Sequence, residues 1–337
     1  MTHHRLIFKT SSSDEIYYLK DTVFIKFNHN QNIISNSLLN GGIQNNLKYV
    51  FNHHLSQQAI NHLEKHNLKD YLIKLSNNLG FNPSFASGLV TLALMKNTSI
   101  ITKKHNDVEV TAITTAGVRV NATRAGDKAS YYEKNGKFHH GTINTIILIN
   151  SKLNNPTLVE AFMTSSEAKT VALNNLNIPS QFSNGFATGT GTDGLIIASN
   201  SESTILLTNA NKHSKLGEMI ANCVIESITI AIKKQVWITP NSQSNVLVLL
   251  NRYKLDINEF YESLNECKGE FILHLKYDSK IQENIIITSS ILNLIDNVTT
   301  GIINKKHAYK MSKLLINYCI GDTVNKLLFF WINKFLK

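Results

Sequence analysis

Residues 143–176 read INTIILINSKLNNPTLVEAFMTSSEAKTVALNNL. The first seven, Ile143 to Ile149, are rich in β-branched side chains and predict a buried strand. Helix is predicted from Asn155 to Leu176, because Asn155 can cap it and Pro156 occupies a position where a missing N–H costs nothing. A second strand is predicted at Leu195 to Ala198. This strand, helix, strand order predicts a crossover connection between two parallel strands.

The segments on either side of this unit also alternate between strand and helix patterns. Loose alternation within residues 1–34 predicts a β-hairpin that turns near Asp21. Further strands are predicted at Gly88–Leu94, Val108–Val118 and Thr204–Leu207, and further helices at His53–Leu75 and Ser214–Lys234. Beyond Pro240 the pattern is mostly helical. The sequence therefore predicts an α/β (or α+β) fold, a mixed β-sheet core packed by helices over residues 1–237, with a mostly helical C-terminal extension over residues 238–337.

Composition limits the class of protein. The chain has 337 residues, of which 42% are apolar and 17% charged, so it can bury a sizeable core, and disorder, collagen and coiled coil are disfavoured. No apolar run reaches ~18 residues, and no signal-peptide pattern opens the chain. The three cysteines are widely spaced without a CxxC pair, which argues against disulfides and thiolate zinc sites. We expect a cytoplasmic protein without a membrane span.

Much of the net charge of +10 comes from one segment at the end of the sequence. Seven lysines and a single acid, Asp322, lie between Lys305 and Lys337. The remaining chain has no Lys/Arg run, so we expect no nucleic-acid binding. The same tail carries many apolar residues, which leaves two interpretations open: a basic amphipathic helix on an anionic membrane surface, or a helix packed on the α/β body. We favour packing, because apolar residues fall on more than one side of residues 327–336.

The string ATGTGTDG, residues 187–194, contains glycines in the GxGxxG spacing. A dinucleotide site needs a strand before this string and a helix after it, whereas here a loop precedes it and a strand follows. A P-loop is excluded as well, because no Gly-Lys-Ser/Thr follows. The string instead predicts a bend that presents hydroxyl groups beside the carboxylate of Asp193, either as a ligand-contacting loop or as a solvated turn.

Histidines and known hydrolase motifs do not indicate a metal or a common catalytic triad. His62 and His66 are four residues apart, but Leu63 stands where a metalloprotease has glutamate. The pairs His53-His54 and His139-His140 have no third ligand at a diagnostic spacing. No GxSxG elbow is present, and no cysteine lies in an activating motif. We therefore expect no metal site.

A polar run, residues 164–170, interrupts the predicted helix of residues 155–176. At 100° per residue, Glu167 shares a side with Thr164 and Thr170. Lys169 points with Ser165 and Ser166. Glu167 and Lys169 therefore cannot aim at one point on a regular helix. The run is either the solvated face of the helix or the wall of a polar cleft.

Five strings in this order resemble those of the adenosylcobinamide amidohydrolases. They are TAGVRVNATRAGD (115–127), GTINTIILIN (141–150), EAKTVAL (167–173), ATGTGTD (187–193) and HSKLGEMIA (213–221). Gly41-Gly42 and Asn52-His53 also match, so the resemblance covers roughly residues 35–235. It implies that residues 1–237 form a catalytic domain that hydrolyses the aminopropanol amide of adenosylcobinamide in corrinoid salvage for cobalamin biosynthesis. It implies no required cofactor, because the substrate itself is a cobalt corrinoid; a homo-oligomer is possible.

The resemblance also directs attention to particular residues. Amide hydrolysis needs a base, a proton donor and an oxyanion stabiliser. Candidates are Glu167 or Asp193 as the base, His53 or Lys215 as the acid or electrostatic partner, and Thr188 or the amides near Gly189 and Gly191 as the oxyanion site. A threonine nucleophile is an alternative. Candidate substrate-binding residues are Gly42, Asn52, Asn121, Asn144, Lys169, Thr170, Gly189, Thr190, Gly191, Thr192 and His213.

The sequence is also compatible with two other functions. One is a non-catalytic corrinoid-binding protein, and the other is an unrelated amide hydrolase or acyltransferase. A binder would keep its affinity for the ligand when the candidate acids Glu167 and Asp193 are substituted, whereas an enzyme would lose turnover.

Overall fold

The computed structural model describes residues 4–63, 67–129, 142–264 and 268–336. The chain divides into two compact units. Unit 1 comprises Met1–Phe182 and Phe186–Ile238, and unit 2 comprises Ser183–Gly185 and Thr239–Lys337.

Unit 1 holds every strand that the structure describes. The strands are β1 (Arg5–Lys9), β2 (Glu15–Leu19), β3 (Thr22–Lys26), β4 (Gln31–Ser35), β5 (Gly42–Gln44), β6 (Tyr49–His54), β7 (Ala86–Thr91), β8 (Ser99–His105), β9 (Val108–Ala116), β10 (Ala122–Thr123), β11 (Ile143–Ile149), β12 (Lys152–Leu153), β13 (Gly189–Thr190), β14 (Gly194–Asn200) and β15 (Leu206–Leu207). The helices of this unit are α1 (Gln57–Leu63), α2 (Leu68–Asn78), α3 (Asn155–Asn175) and α4 (Lys215–Val236).

Most strands belong to two mixed sheets. The first sheet has the order β1-β2-β3-β6-β7, in which only the β6–β7 pair is parallel. The second has the order β5-β4-β14-β11-β9-β8, in which only the β11–β14 pair is parallel. Helix α3 lies between β11 and β14 in the chain, so the predicted crossover between parallel strands is confirmed. Two short strand pairs, β10–β13 and β12–β15, lie outside these sheets.

Unit 1 is built in four layers. Apolar side chains such as Ile25 of the first sheet and Ile146 of the second meet between the two sheets. Alternate residues of β11, including Ile147, face the opposite way and pack against α3 and α4. On the outer face of the first sheet, Phe51 packs with Leu72 of α2. The order of layers is therefore helix, sheet, sheet, helix, and β11 is buried on both faces, which explains its continuous apolar sequence.

The N-cap of helix α3 lies one residue earlier than the sequence pattern predicts. Its cap is Asn154, whose side chain accepts the N–H of Thr157 at 2.9 Å, and Asn155 is already helical. Both asparagines suit the cap position, and the residue just before Asn154 is Leu153 of β12, which is fully buried. Ser214 caps α4 in the same way by accepting the N–H of Gly217 at 3.0 Å.

The predicted elements agree with the structure except in one region. The mixed sheet core, its packing helices and the helical C-terminal region are confirmed, as is a hairpin whose turn includes Asp21. The helix predicted over His53–Leu75 is right only in part. Its first residues, His53 and His54, belong to β6, which pairs with β3 and β7. The helical residues described within the range belong to α1 and to α2, which Asn67 caps. Pairing on both sides of β6 overrides its weak helical pattern.

The described part of unit 2 is helical. Its helices are α5 (Pro240–Gln243), α6 (Val246–Leu250), α7 (Ile257–Glu262), α8 (Lys268–Asp278), α9 (Gln282–Thr299), α10 (Lys305–Ile316) and α11 (Asp322–Leu336). Arg252 donates to the carboxylate of Asp296 at 2.8 Å and to the carbonyl of Asn184 at 3.2 Å, which ties Ser183–Gly185 to this unit.

The apolar residues of the basic tail are only partly buried: Leu314 and Phe329 are partly exposed, whereas others lie in the core of unit 2. Leu327, Leu328, Trp331 and Ile332 of α11 are each fully buried in its helical core. Helix α11 of this segment therefore packs among helices of its own unit. No helix in the described ranges combines the length and the apolar character that crossing a membrane requires.

Candidate active site

A polar cavity of about 130 Å³ lies in unit 1 between helix α3 and the second sheet. Helix α3 contributes one wall, and the ends of β11 and β14 contribute the other. The lining residues are Asn36, Ile143, Thr145, Phe162, Ser165, Ser166, Lys169, Asp193, Gly194, Leu195 and Val224. Ser165, Ser166 and Lys169 share the face that helical geometry predicted, so the polar run of α3 does line a cleft.

An ion pair between Lys169 and Asp193 forms the charged part of this wall. The two side chains are only 21% and 15% exposed, so water screens their attraction less than on the surface. The Asp193 carboxylate also accepts the N–H of Thr190 at 3.0 Å, the hydroxyl of Thr190, and the N–H of Ile143 at 3.1 Å. These donors fix the carboxylate, and the carboxylate in turn fixes the ammonium group of Lys169.

The glycines of the 187–194 loop let the chain pass close to this pair. A Cβ at Gly189 would come within 2.8 Å of Lys169 Nζ and would also collide with the Asp193 carboxylate. A Cβ at Gly191 would lie 3.2 Å from the buried side chain of Asn121. A side chain at position 189 would displace the ends of the Lys169 and Asp193 side chains, so glycine at this point of the loop leaves room for the ion pair.

A buried amide network lies beneath the loop, between the two sheets. Asn52 donates to the Thr115 hydroxyl at 2.8 Å, and Asn144 donates to the Asn52 side-chain oxygen at 2.7 Å and to the Val90 carbonyl at 3.0 Å. A Cβ at Gly194 would collide with Asn144, so the network packs directly under the start of β14. Asn52 and Asn144 were predicted to bind substrate; here they bond to each other and link the sheets.

The threonines near Asp193 lie together. Thr170 of α3 donates to the Thr188 carbonyl at 3.1 Å, and the Thr188 hydroxyl accepts the N–H of Ala125 at 2.8 Å. Thr190 bonds to Asp193, and the exposed Thr192 accepts the Thr142 hydroxyl through its carbonyl. The structure therefore brings together most of the loop residues that the sequence predicted, together with Lys169 and Thr170 of α3.

Several predicted residues lie elsewhere. Glu167 pairs with Lys212 at 2.7 Å and is half exposed, which confirms that it faces away from Lys169. Lys215 pairs with Glu218 on the surface of α4, beside the exposed His213. Gly42 is an exposed residue of the edge strand β5 with a φ of 76°.

His53 lies on the opposite face of β6 from Asn52, toward helix α2. Its Nδ1 is 2.8 Å from the Thr22 hydroxyl, and its ring centroid is 6.3 Å from that of Tyr71. Burial lowers the pKa of His53 from 6.5 to about 4, against a weaker raising effect from Asp21. The histidine is therefore neutral near pH 7 and does not line the cavity.

The described residues do not form a metal site. Within them, no group of three or more His, Cys, Asp or Glu side chains is arranged to hold a metal ion. The side chain of His62 and the residues His66, His139 and His140 lie outside the described part of the chain.

The sequence did not predict two features of the cavity: the position of Asn36 and the pairing of Lys169 with Asp193. Asn36 donates to the Asp193 carbonyl and accepts the N–H of Leu195, both at 2.8 Å, and so extends β4 toward the loop. This contact spans more than 150 residues, and no local pattern signals it. The helical face shared by Ser166 and Lys169 was visible in the sequence, but the pairing of Lys169 with Asp193 was not.

This arrangement has a clear chemical capacity. A fixed ammonium group beside hydroxyl groups, in a cavity partly removed from water, can donate to a carbonyl oxygen and stabilise negative charge that develops there. The cavity also contains an apolar part, Phe162 and Val224, which can accommodate a short aliphatic group.

Comparison with known proteins agrees with the sequence motifs. The model of the family "Adenosylcobinamide amidohydrolase" matches residues 7–240. An uncharacterized protein of Methanocaldococcus jannaschii is 33% identical over 228 residues, covering 64% of this chain and 86% of that protein. A crystal structure of a Pyrococcus horikoshii OT3 protein covers 68% of this chain and 83% of its own, at 11% identity and a TM-score of 0.31, too low to support an argument. The match over residues 7–240 shows that the chain belongs to the adenosylcobinamide amidohydrolase family.

Proposed function

We propose that this protein hydrolyses the amide that joins the aminopropanol arm to the corrin ring of adenosylcobinamide. The products are adenosylcobyric acid and 1-amino-2-propanol, and the reaction serves corrinoid salvage in the cytoplasm. Family membership supports the substrate class. The observation that carries the proposed chemistry is the Lys169–Asp193 pair, held in the wall of a polar cavity by the loop of residues 187–194.

The size of the cavity indicates how such a substrate would bind. Pockets that enclose a whole drug-sized ligand measure roughly 300–1,000 Å³. The cavity here, about 130 Å³, holds a short arm and no macrocycle. We therefore propose that the amide arm enters beside Phe162 and Lys169 and that the corrin ring stays outside the cavity.

Lys169 provides the positive charge that amide hydrolysis needs. As a nucleophile adds to the carbonyl carbon, negative charge moves onto the carbonyl oxygen, and the ammonium group stabilises it. When the C–N bond breaks, the same group supplies a proton to the departing amine nitrogen. Asp193 acts through Lys169: it keeps Nζ at the cavity wall and offsets the cost of burying its charge.

No cofactor is part of this proposal, because proton transfers and a fixed charge are sufficient for hydrolysing an amide. The cobalt belongs to the substrate. Activity in excess chelator is therefore expected to equal activity without it.

The proposal is tested by incubating the purified full-length protein with adenosylcobinamide and measuring both products by liquid chromatography and mass spectrometry. Stoichiometric release of 1-amino-2-propanol and adenosylcobyric acid is expected, with and without chelator. A change in the corrinoid absorbance without product would show binding alone. Loss of activity in chelator, restored by zinc only, would defeat the metal-free reaction.

A further inference from the structure

Ser166 occupies a distinctive place in the cavity. It lies on α3 three residues before Lys169, so both side chains share one face of the helix, and both line the cavity together with Asp193. A serine three residues before a lysine on a helix is the spacing S-x-x-K, in which the serine is a nucleophile beside a lysine amine.

The hydroxyl groups around Ser166 are already bonded to main-chain carbonyls. Thr164 donates to Ala210 at 2.9 Å, Ser165 to Ala161 at 2.7 Å, and Thr170 to Thr188 at 3.1 Å. Thr145, on the sheet side of the cavity, lies 3.2 Å from the Thr114 hydroxyl. Among the described residues, the side chain of Ser166 makes no hydrogen bond, so its hydroxyl is available to a ligand in the cavity.

From this placement we propose that Ser166 Oγ is the nucleophile of the amidohydrolase and that Lys169 Nζ is its proton acceptor. This inference rests on the proposed function and specifies how it proceeds, through a covalent acyl-enzyme rather than by direct attack of water. Ser165, whose hydroxyl is turned to the Ala161 carbonyl, takes no part.

The proton movements balance within the Lys169–Asp193 pair. Lys169 Nζ is an ammonium group beside the Asp193 carboxylate, so it passes one proton to that carboxylate as it accepts the proton of Ser166, and takes it back when it protonates the departing nitrogen. Ser166 Oγ bonds to the amide carbonyl carbon while its proton passes to Nζ. The C–N bond then breaks, Nζ returns the proton to the departing nitrogen, and 1-amino-2-propanol leaves behind an ester on Ser166.

Water completes the reaction along the same route. It attacks the ester carbon while its proton passes to Nζ, and the C–Oγ bond breaks as Nζ returns that proton to Ser166 Oγ. The product is adenosylcobyric acid, and the serine and the ion pair are regenerated. One water is consumed and no further reactant is needed.

Two measurements on the full-length protein test this inference. Ser166→Ala is expected to lower kcat by roughly 10³-fold, with KM changed only a few-fold, because the substituted hydroxyl acts in the chemical step. The matched variant Ser290→Ala is expected to stay within about five-fold of wild type, since that hydroxyl only bonds the Ile286 carbonyl of its own helix, α9, and does not line the cavity. Hydroxylamine added to the wild type should divert product to the hydroxamate without changing the rate of 1-amino-2-propanol release.

The outcomes separate the inference from the proposed function. A wild-type protein that releases no 1-amino-2-propanol refutes the proposed function itself. An active wild type that gives no hydroxamate, or a Ser166→Ala variant that keeps more than about a tenth of the turnover, overturns the nucleophile assignment only. The hydroxylamine measurement needs no variant, so a missing hydroxamate overturns the inference even where Ser166→Ala fails to fold.

Discussion

The Asp193 carboxylate receives donors from three different parts of unit 1: the side chain of Lys169, the loop residue Thr190 and the main chain of Ile143. Asparagine at position 193 would keep the size of the side chain. Its N–H₂ group, however, would face some of these donors and could not accept their hydrogen bonds. We predict that Asp193→Asn lowers turnover by about 10²-fold or more, because Lys169 loses its counter-ion and its position. Unfolding free energy should fall by about 1–3 kcal/mol as buried donors lose their acceptor.

Turnover assays and urea unfolding check this prediction. Asp322→Asn is the control, because its carboxylate makes an exposed pair with Lys326 on α11 and does not line the cavity. Wild-type turnover in a folded Asp193→Asn protein would remove the ion pair from the mechanism.

His53 gives a pH-dependent prediction that concerns stability. Burial lowers its pKa to about 4, below the ordinary value of 6.5, while Asp21 opposes the shift and His54 adds to it. Between these pH values the unfolded chain binds a proton that the folded chain does not. The contribution of His53 to the free energy of unfolding is therefore fully present above about pH 6.5, and it is lost as the pH falls toward 4.

The measurement is the free energy of unfolding across that range for wild type and His53→Gln. The wild-type value should fall more steeply toward low pH, by up to a few kcal/mol, because only wild type must protonate a buried imidazole. Parallel curves for the two proteins would show that His53 is not the titrating group.

At the scale of elements, helix α3 both joins the parallel strands and carries the cavity wall. Its cap is Asn154, which accepts the N–H of Thr157 at 2.9 Å and its hydroxyl at 2.7 Å. Asn154→Ala should cost about 1 kcal/mol of stability, the usual value for a lost N-cap, with turnover retained. The matched variant Asn155→Ala should change stability by less than about 0.5 kcal/mol, since Asn155 is a helical residue. Urea unfolding distinguishes the two, and equal losses would contradict the capping assignment.

The elements show why part of the fold could be read from the sequence. Strand β11, helix α3 and the parallel partner β14 were predictable, because each has a strong local pattern and one crossover joins the two strands. Strand β6 was not, because its identity depends on partners such as β3, which lies more than 20 residues away in the chain. Helical periodicity correctly separated Glu167 from Lys169.

The candidate site was also predictable only in part, because some of its contacts join residues that are far apart in the chain. The bend of residues 187–194 is visible as a run of glycines and threonines. The partner of Asp193 is a long-range contact to Lys169, and Asn36 reaches the loop from a distant strand. No local spacing encodes such contacts, so the sequence offered several candidate acids and bases without a means of choosing between them.

For the whole molecule, the basic tail raises the question of membrane association. Its seven lysines would favour an anionic surface, and Leu314 and Phe329 are partly exposed. Leu327 and Trp331 of the same tail, however, are fully buried in unit 2 and are not available to insert. We predict that the intact protein does not co-sediment with anionic liposomes beyond its level with neutral ones. Salt-sensitive co-sedimentation that disappears when residues 303–337 are deleted would overturn this prediction.

The central claim is that the Lys169–Asp193 pair supports hydrolysis of the adenosylcobinamide amide. The most direct test compares product release by wild type, Lys169→Met and Lys103→Met. Lys103 is the matched control, because it pairs with Glu226 at 2.5 Å away from the cavity. Wild type and Lys103→Met should release 1-amino-2-propanol at similar rates, and Lys169→Met should be slower by about 10²- to 10³-fold, the usual loss for one stabilising donor. Release at the wild-type rate by a folded Lys169→Met protein would contradict the account.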